Sequence, residues 1–113
     1  MHEMSLMESV LEIACETALK AGASKVTTIR LDIGALSHVE PEALIFCYDA
    51  TRQGTLAAEA RLEINRSPGA GWCMDCERTV ALAERFGACP DCGRFRVEMT
   101  SGEEMRISEL EVV

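Results

Sequence analysis

Four cysteines in two matched pairs constrain this chain more than any other feature. They read Cys73-Met-Asp-Cys76 and Cys89-Pro-Asp-Cys92, with twelve residues between the pairs. A tight turn directs the two thiolates of a pair at one point, and two such turns facing each other complete a tetrahedron of sulfur. Zn²⁺ suits that cage because it accepts four thiolates and has no redox chemistry of its own. The spacing therefore predicts a structural Zn(II) site formed by Cys73, Cys76, Cys89 and Cys92.

Two disulfides, a redox dithiol and an iron–sulfur cluster are the alternative uses of these cysteines. Disulfides need an oxidising compartment, whereas the opening Met1-His2-Glu3 has no basic n-region and we expect no secretory signal. A redox pair stands alone in a thioredoxin-like unit and is not duplicated at this distance. Iron in the same tetrathiolate cage remains open. Free cysteines at Cys15 and Cys47, on apolar helical stripes, fit a reducing cytoplasm.

Composition limits both the architecture and the class of partner. The chain has 113 residues, of which 48% are apolar, so we expect one modest core with a small appendage that metal binding helps to fold. The formal net charge of −8 repels phosphate backbones and argues against nucleic-acid binding. No apolar run reaches membrane-spanning length, so no membrane partner is expected.

Hydrophobic periodicity predicts an α+β fold: a three-stranded mixed sheet with two helices, plus an inserted zinc-ribbon-like four-cysteine domain. Proline, glycine and serine at 67–71 read as a linker that enters this insertion. The predicted helices cover 4–21 and 41–53, the predicted sheet strands 26–33, 60–66 and 103–112, and two short strands of the insertion 79–82 and 95–99. The predicted domains are therefore 1–68 with 101–113, which form the α+β domain, and 69–100, which form the zinc-binding domain.

The N-terminus offers a second metal-binding arrangement. A free α-amine, the amide nitrogen of His2 and its imidazole can chelate one ion in a plane, a geometry preferred by Ni²⁺ and Cu²⁺. Glu3 adds an oxygen or a further amide nitrogen, and the bulky second residue disfavours removal of Met1. The alternative interpretation is a frayed terminal histidine in solvent. Glu40 is a further candidate ligand, although an acid beside a helix start is also favoured by the helix dipole.

Four motifs together resemble the HypA/HybF family of hydrogenase-maturation nickel chaperones, over essentially the whole chain. They are Met1-His2-Glu3 opening a helix, Gly34-Ala-Leu-Ser-His-Val-Glu-Pro-Glu-Ala-Leu44 after a strand, the paired cysteines, and Ser101-Gly-Glu-Glu-Met-Arg-Ile-Ser-Glu-Leu-Glu-Val112. The resemblance implies Ni(II) binding at the N-terminus through His2, with Met1 and Glu3 contributing, and structural Zn(II) at the four cysteines. The α+β domain would then be the nickel-binding domain.

The resemblance also implies partners. An accessory nickel-handling GTPase and the precursor of the [NiFe]-hydrogenase large subunit are expected, and in some organisms relatives serve urease maturation factors. The sequence has no phosphate-cradling glycine-rich loop and no nucleophile–base arrangement, so we interpret the protein as a non-enzyme. A monomer and a homodimer are both compatible with the sequence. The competing hypothesis is a zinc-ribbon interaction module, a protein or nucleic-acid adaptor without a nickel role.

Overall fold

The computed structural model describes residues 2–113, so the predicted role of Met1 lies outside the described residues. Two helices and six strands follow one another along the chain. In order they are α1 Glu3–Lys20, β1 Val26–Gly34, α2 Pro41–Thr51, β2 Arg61–Ser67, β3 Ala70–Cys73, β4 Arg78–Ala81, β5 Val97–Ser101 and β6 Met105–Val112. No helix within residues 2–113 is long and apolar enough to cross a membrane.

The chain forms two compact units. The first comprises the chain up to Leu31, Val39–Asn65 and Arg106–Val113; the second comprises Asp32–His38 and Arg66–Met105. One three-stranded mixed sheet has the order β2-β1-β6, and a second has the order β4-β3-β5. Two helices, a mixed sheet and a separate four-cysteine module confirm the predicted fold class.

α1 forms because its apolar residues repeat at helical spacing, and the repeat is also the buried face: Met7, Val10, Leu11, Ala14 and Ala18 are buried. The helix ends where the sequence predicts. Gly22 takes a positive φ of 76°, its N–H donates to the carbonyl of Leu19, and the N–H of Ala23 donates to the carbonyl of Ala18. This pattern is the Schellman motif, in which a left-handed glycine satisfies the last carbonyls of a helix.

α2 begins at Pro41, whose missing N–H removes no helical hydrogen bond. Glu40 is the N-cap residue of α2 and makes no side-chain capping bond. α1 and α2 contact each other in the first unit. Tyr48 lies in α2, and its buried hydroxyl shares its hydrogen bond between the carbonyls of Ala57 and Ala60, at 3.1 and 2.5 Å. This contact anchors the chain that leads into β2.

Arg30 connects the three strands of the first sheet at the level of side chains. It extends from β1 to Glu63 on β2 at 2.7 Å, and to Glu109 and Glu111 on β6 at 2.8 and 3.1 Å. These carboxylates raise the pKa of Arg30. The largest contribution is the hydrogen bond that Arg30 donates to Glu63. Arg30 in turn lowers the pKa of Glu63. A single cation therefore holds both outer strands to the central one.

The predicted linker at 67–71 is shorter in the structure, because Ser67 ends β2 and Ala70 and Gly71 already belong to β3, the central strand of the second sheet. β3 pairs antiparallel with β4 and with β5, and Gly71 lies opposite Val80 on one side and Met99 on the other. A Cβ atom at Gly71 would lie 2.5 Å from a methyl group of Val97. Glycine is needed at this position for close packing of the sheet, although the composition of the segment predicted a linker.

Three glycines of the second unit allow backbone segments to approach one another closely around Leu36. A Cβ atom at Gly34 would lie 1.9 Å from the carbonyl oxygen of Gly102, and one at Gly69 would lie 2.6 Å from a methyl carbon of Leu36. The N–H of Leu36 donates to Gly102, and the carbonyl of Leu36 accepts from Arg85 at 2.7 Å. The segment 32–38 is thus anchored to the module that carries the cysteines.

Candidate metal centres

The four cysteine sulfurs converge on one point. Their ligand atoms all lie within 4.8 Å of one another, with 3.7 Å between Cys73 and Cys92 and 3.9 Å between Cys76 and Cys89. Four sulfurs held about 2.3 Å from a central Zn²⁺ in a tetrahedron are about 3.8 Å apart, so the observed distances match that cage. Cys73 and Cys89 are buried, and Cys76 and Cys92 are half-buried. The donor set and its geometry fit a tetrathiolate zinc ion.

Each pair of cysteines lies in a turn of the same shape. The N–H of Glu77 donates to the carbonyl of Cys73 at 2.8 Å, and the N–H of Gly93 donates to the carbonyl of Cys89 at the same distance. Both residues that follow the pairs have positive φ, 52° for Glu77 and 74° for Gly93. Glycine adopts this conformation without a side-chain penalty, whereas glutamate does not.

Backbone N–H groups donate hydrogen bonds to two of the sulfurs, which favours the thiolate form that binds a metal ion. The N–H of Cys76 contacts the sulfur of Cys73 at 3.4 Å, and that of Asp91 contacts the sulfur of Cys89 at 3.3 Å. Hydrogen bonding from the backbone N–H of Cys92, with a further contribution from that of Asp91, lowers the pKa of Cys89 to about 7. Burial raises the pKa of Cys76 to about 12, and the neighbouring sulfurs add to the rise. Without a metal, the thiol of Cys89 therefore ionises at a lower pH than that of Cys76.

Charged side chains connect the two turns. Asp91, inside the second pair, accepts from Arg78, which follows the first pair, at 2.5 Å. Asp75, inside the first pair, lies 3.8 Å from Arg94 and 2.9 Å from Arg96, both of which follow the second pair. Sequence reasoning missed these residues. The signal was nevertheless present, because Cys-x-Asp-Cys-x-Arg occurs at 73–78 and again at 89–94.

The structure also shows where the predicted nickel ligands lie. His2 is exposed and immediately precedes α1, and its carbonyl accepts from Leu6 at 2.9 Å. Glu3 is only 8% exposed, and its carboxylate accepts a hydrogen bond from the backbone N–H of Glu40 over 3.1 Å. Glu3 and Glu40 are therefore neighbours, and the side chain of His38 is exposed.

Within residues 2–113, the four cysteines form the one cluster of three or more His, Cys, Asp or Glu side chains whose ligand atoms converge. The side chains of His2, Glu3 and Glu40 do not form a second such cluster among the described residues. The predicted N-terminal chelate uses main-chain nitrogens beside the imidazole of His2, so it does not require such a cluster.

Comparison with known proteins identifies the family. A model of the HypA family, described as hydrogenase/urease nickel incorporation, metallochaperone, matches residues 1–112. The chain belongs to the HypA family. Among its relatives, the hydrogenase maturation factor HypA of Rhizobium leguminosarum bv. viciae is 66% identical over 113 residues, with all of both chains covered. That of Rhodopseudomonas palustris strain TIE-1 is 54% identical over 112 residues, with 99% of each chain covered.

Solved structures of HypA proteins share the fold. The solution structure of the Ni metallochaperone HypA from Helicobacter pylori has a TM-score of 0.71 and 29% sequence identity, covering 100% of this chain and 98% of the other. A second HypA solution structure has a TM-score of 0.73 and 27% identity, covering 99% and 96%. The family resemblance stated from the sequence motifs is confirmed, and with it the assignment to hydrogenase maturation.

Proposed function

We propose that this HypA-family chain binds Ni(II) as cargo at its N-terminus, through Met1, His2 and Glu3, and helps to insert it into the [NiFe]-hydrogenase large subunit. The observation that carries the proposal is the contrast between its two candidate metal centres. The imidazole of His2 is exposed at the start of α1, whereas the four sulfurs are buried or half-buried in a closed cage. An open site with few ligands suits an ion that must be released, and a closed tetrathiolate suits one that stays.

Glu40 is part of this proposal through its position. Its backbone N–H holds the carboxylate of Glu3, so the segment before α2 lies against the first turn of α1. The Glu40 side chain is exposed. We propose Glu3 as a residue that contributes to the nickel site directly or by fixing the N-terminal turn, and Glu40 as an additional ligand.

The cysteine cage holds Zn(II) in this proposal, and its role is to fold the second unit. The buried apolar cluster of that unit includes Cys73, Cys89 and Val80, with Val97 packed against it, so the metal ligands are also part of the core. A module this small gains much of its folding free energy from metal binding. The proposed domains are 1–68 with 101–113 for nickel and 69–100 for zinc.

The proposal extends to the partners and the location of the protein. The proposed partners are a nickel-handling accessory GTPase and the hydrogenase large-subunit precursor, with urease maturation factors as further candidates. The protein acts in the cytoplasm as a carrier and not as an enzyme, and it needs no nucleic acid or membrane. These proposals are supported by the family description of nickel incorporation and by relatives that are hydrogenase maturation factors.

Nickel titration of untagged protein tests the proposal. The wild type is expected to hold one zinc and to bind one Ni(II) more weakly, and His2→Ala is expected to lose the nickel while keeping the zinc. His38→Ala is the matched control, because His38 is the other histidine of the chain and is also exposed. Stoichiometric nickel binding by His2→Ala would place the site elsewhere. Loss of nickel in both variants would point to an indirect effect of histidine removal.

A further inference from the structure

The two cysteine turns carry a repeated charge pattern that is offset by sixteen residues. Cys73-Met-Asp-Cys-Glu-Arg78 and Cys89-Pro-Asp-Cys-Gly-Arg94 both read Cys-x-Asp-Cys-x-Arg. The aspartate of each repeat does not pair with the arginine of its own repeat. They cross, since Asp91 pairs with Arg78 and Asp75 with Arg94 and Arg96. We define these five residues as the crossed clamp.

Each aspartate of the clamp needs a cation in this position. A zinc ion with four thiolates has a net charge of about −2, so a carboxylate inside each cysteine turn adds like charge next to the sulfurs. Asp75 is the more demanding case, because its side chain is only 15% exposed and its second oxygen, Oδ2, is buried without a hydrogen-bond partner among the described residues. The arginine that compensates each aspartate comes from the opposite turn.

Backbone hydrogen bonds place the arginines of the second turn. The N–H of Met74 donates to the carbonyl of Arg96 at 2.9 Å, and the N–H of Cys89 donates to the carbonyl of Arg94 at 2.8 Å. The segment 94–96 therefore touches both turns through its main chain while its side chains reach Asp75. None of these contacts uses a cysteine sulfur, so the departure of one sulfur from zinc does not itself break them.

We propose that the crossed clamp is a kinetic latch on the zinc site. Release of zinc requires the two cysteine turns to separate. Each ion pair joins one turn to the other, so the pairs oppose this separation. When one sulfur detaches, the clamp keeps its turn close to the ion, and the sulfur rebinds before the next one leaves. The clamp residues are positioning residues and not ligands, because zinc is held by sulfur throughout.

The size of the effect follows from the exposure of the pairs. Arg78 and Asp91 are 59% and 46% exposed, so their attraction contributes little to the overall free energy of unfolding. Exposed pairs of this kind couple by an amount that corresponds to roughly a two- to fivefold change in a rate. We therefore expect faster zinc release in clamp variants, with nearly unchanged thermal unfolding.

The experiment measures zinc transfer from full-length protein to an excess of a chromogenic chelator. Zinc content is determined first in wild type, Arg78→Gln, Asp91→Asn and the double variant. Each single variant is expected to release zinc roughly two- to fivefold faster than wild type, and the double variant no faster than the singles. Arg61→Gln is the matched control, since Arg61 forms an exposed pair with Glu63 at 3.2 Å in the first unit.

Two further readouts separate a latch from a general structural role. Raising the salt concentration from about 0.1 to about 1 M should speed release from wild type more than from the double variant, because salt screens the pairs and the double variant lacks the one between Arg78 and Asp91. The charge-reversed double variant, Arg78→Asp with Asp91→Arg, should restore slow release. The thiolate-to-cobalt absorption of Co(II)-substituted protein should be the same in all variants, because all four sulfurs still bind.

The inference rests on the zinc assignment of the proposed function and is independent of the nickel site. A wild type without zinc would overturn the zinc assignment and the latch together. A wild type with one zinc and clamp variants that release it at the wild-type rate would overturn the latch alone. Additive effects of the two single substitutions, or an equal effect of Arg61→Gln, would also overturn it.

Discussion

The carboxylate of Glu3 accepts a hydrogen bond from the backbone N–H of Glu40 across 3.1 Å, which joins the first turn of α1 to the residue before α2. Glu3 and Glu40 are 37 positions apart in the sequence. They are nevertheless neighbours in the structure, and Glu3 directly follows the exposed His2. The proposed N-terminal metal site would therefore depend on the position of the residue before α2. This coupling makes Glu3 informative as a mutation target.

Replacing Glu3 by alanine should weaken nickel binding by about tenfold, because residues that fix metal ligands contribute on that scale. Glu3→Gln keeps an oxygen that can accept from Glu40 but removes the charge. Near-normal affinity in Glu3→Gln indicates a positioning role, and a loss equal to that of Glu3→Ala indicates a carboxylate ligand. Isothermal titration with Ni(II) on untagged protein gives the comparison. Unchanged affinity in Glu3→Ala would rule out both roles.

Zinc affinity should fall as the pH falls. Because the pKa of Cys89 is about 7 and that of Cys76 about 12, metal uptake has to displace protons from thiols. Below pH 7 each displaced proton lowers affinity roughly tenfold per pH unit, so the total slope is at least that steep. Competition with a chelator of known affinity between about pH 5.5 and 8 measures it. A flat profile would mean that the thiols are already ionised in the metal-free protein.

Arg30→Gln should destabilise the first unit most at neutral pH. In the wild type, Arg30 lowers the pKa of Glu63, and a hydrogen bond from Thr28 together with Arg30 lowers that of Glu111. A depressed carboxyl pKa stabilises the folded state above the unfolded value, near 4.3, and this stabilisation is lost as the pH falls through the folded value. The difference between wild type and Arg30→Gln, measured by urea unfolding, should therefore shrink in acid. A difference that grows in acid would contradict this explanation.

Gly34→Ala should destabilise the second unit by about 3 kcal/mol. The reason is that the new methyl group would overlap the backbone carbonyl of Gly102. Gly22→Ala is the control. A Cβ at Gly22 meets nothing within 4 Å, so only its φ of 76° is unfavourable, at about 1 kcal/mol. Urea unfolding of both variants provides the test, and equal losses would show that crowding at Gly34 is relieved.

Tyr48→Phe should lower the free energy of unfolding by about 1–2 kcal/mol. The buried hydroxyl bonds two carbonyls, those of Ala57 and Ala60, and its removal leaves both without that donor. The ring stays in place, so the apolar contacts are unchanged. Thermal unfolding followed by circular dichroism measures the loss. A wild-type midpoint would show that water replaces the hydroxyl at no cost.

The parts of the fold that depend on local order were predictable. The periodicity of α1 and its end at Gly22 are local properties, and so is the convergence of two Cys-x-x-Cys turns on one ion. The strand at Ala70–Cys73 was not predictable, because Gly71 is required by a neighbour from another strand. The burial of Glu3 beside Glu40 was likewise hidden, since it depends on how two helices meet.

The crossed ion pairs lie between these cases. Both Cys-x-Asp-Cys-x-Arg repeats are visible in the sequence, so the charged residues could have been singled out as a set. Their pairing across the turns could not be inferred, because within one repeat Asp75 and Arg78 are only three residues apart and a local pair is equally compatible with the spacing. Only the arrangement of the two turns around the sulfurs decides between the two pairings.

Glu77 occupies the position that glycine fills sixteen residues later, with a φ of 52° that glutamate adopts reluctantly. Substituting glycine there would relax the backbone by about 1 kcal/mol, partly offset by the greater freedom of the unfolded chain. The ligands, the aspartates and the arginines would all be untouched. Attempts to engineer a more heat-resistant version of this protein should therefore begin at this one surface residue, where improvement does not compete with metal chemistry.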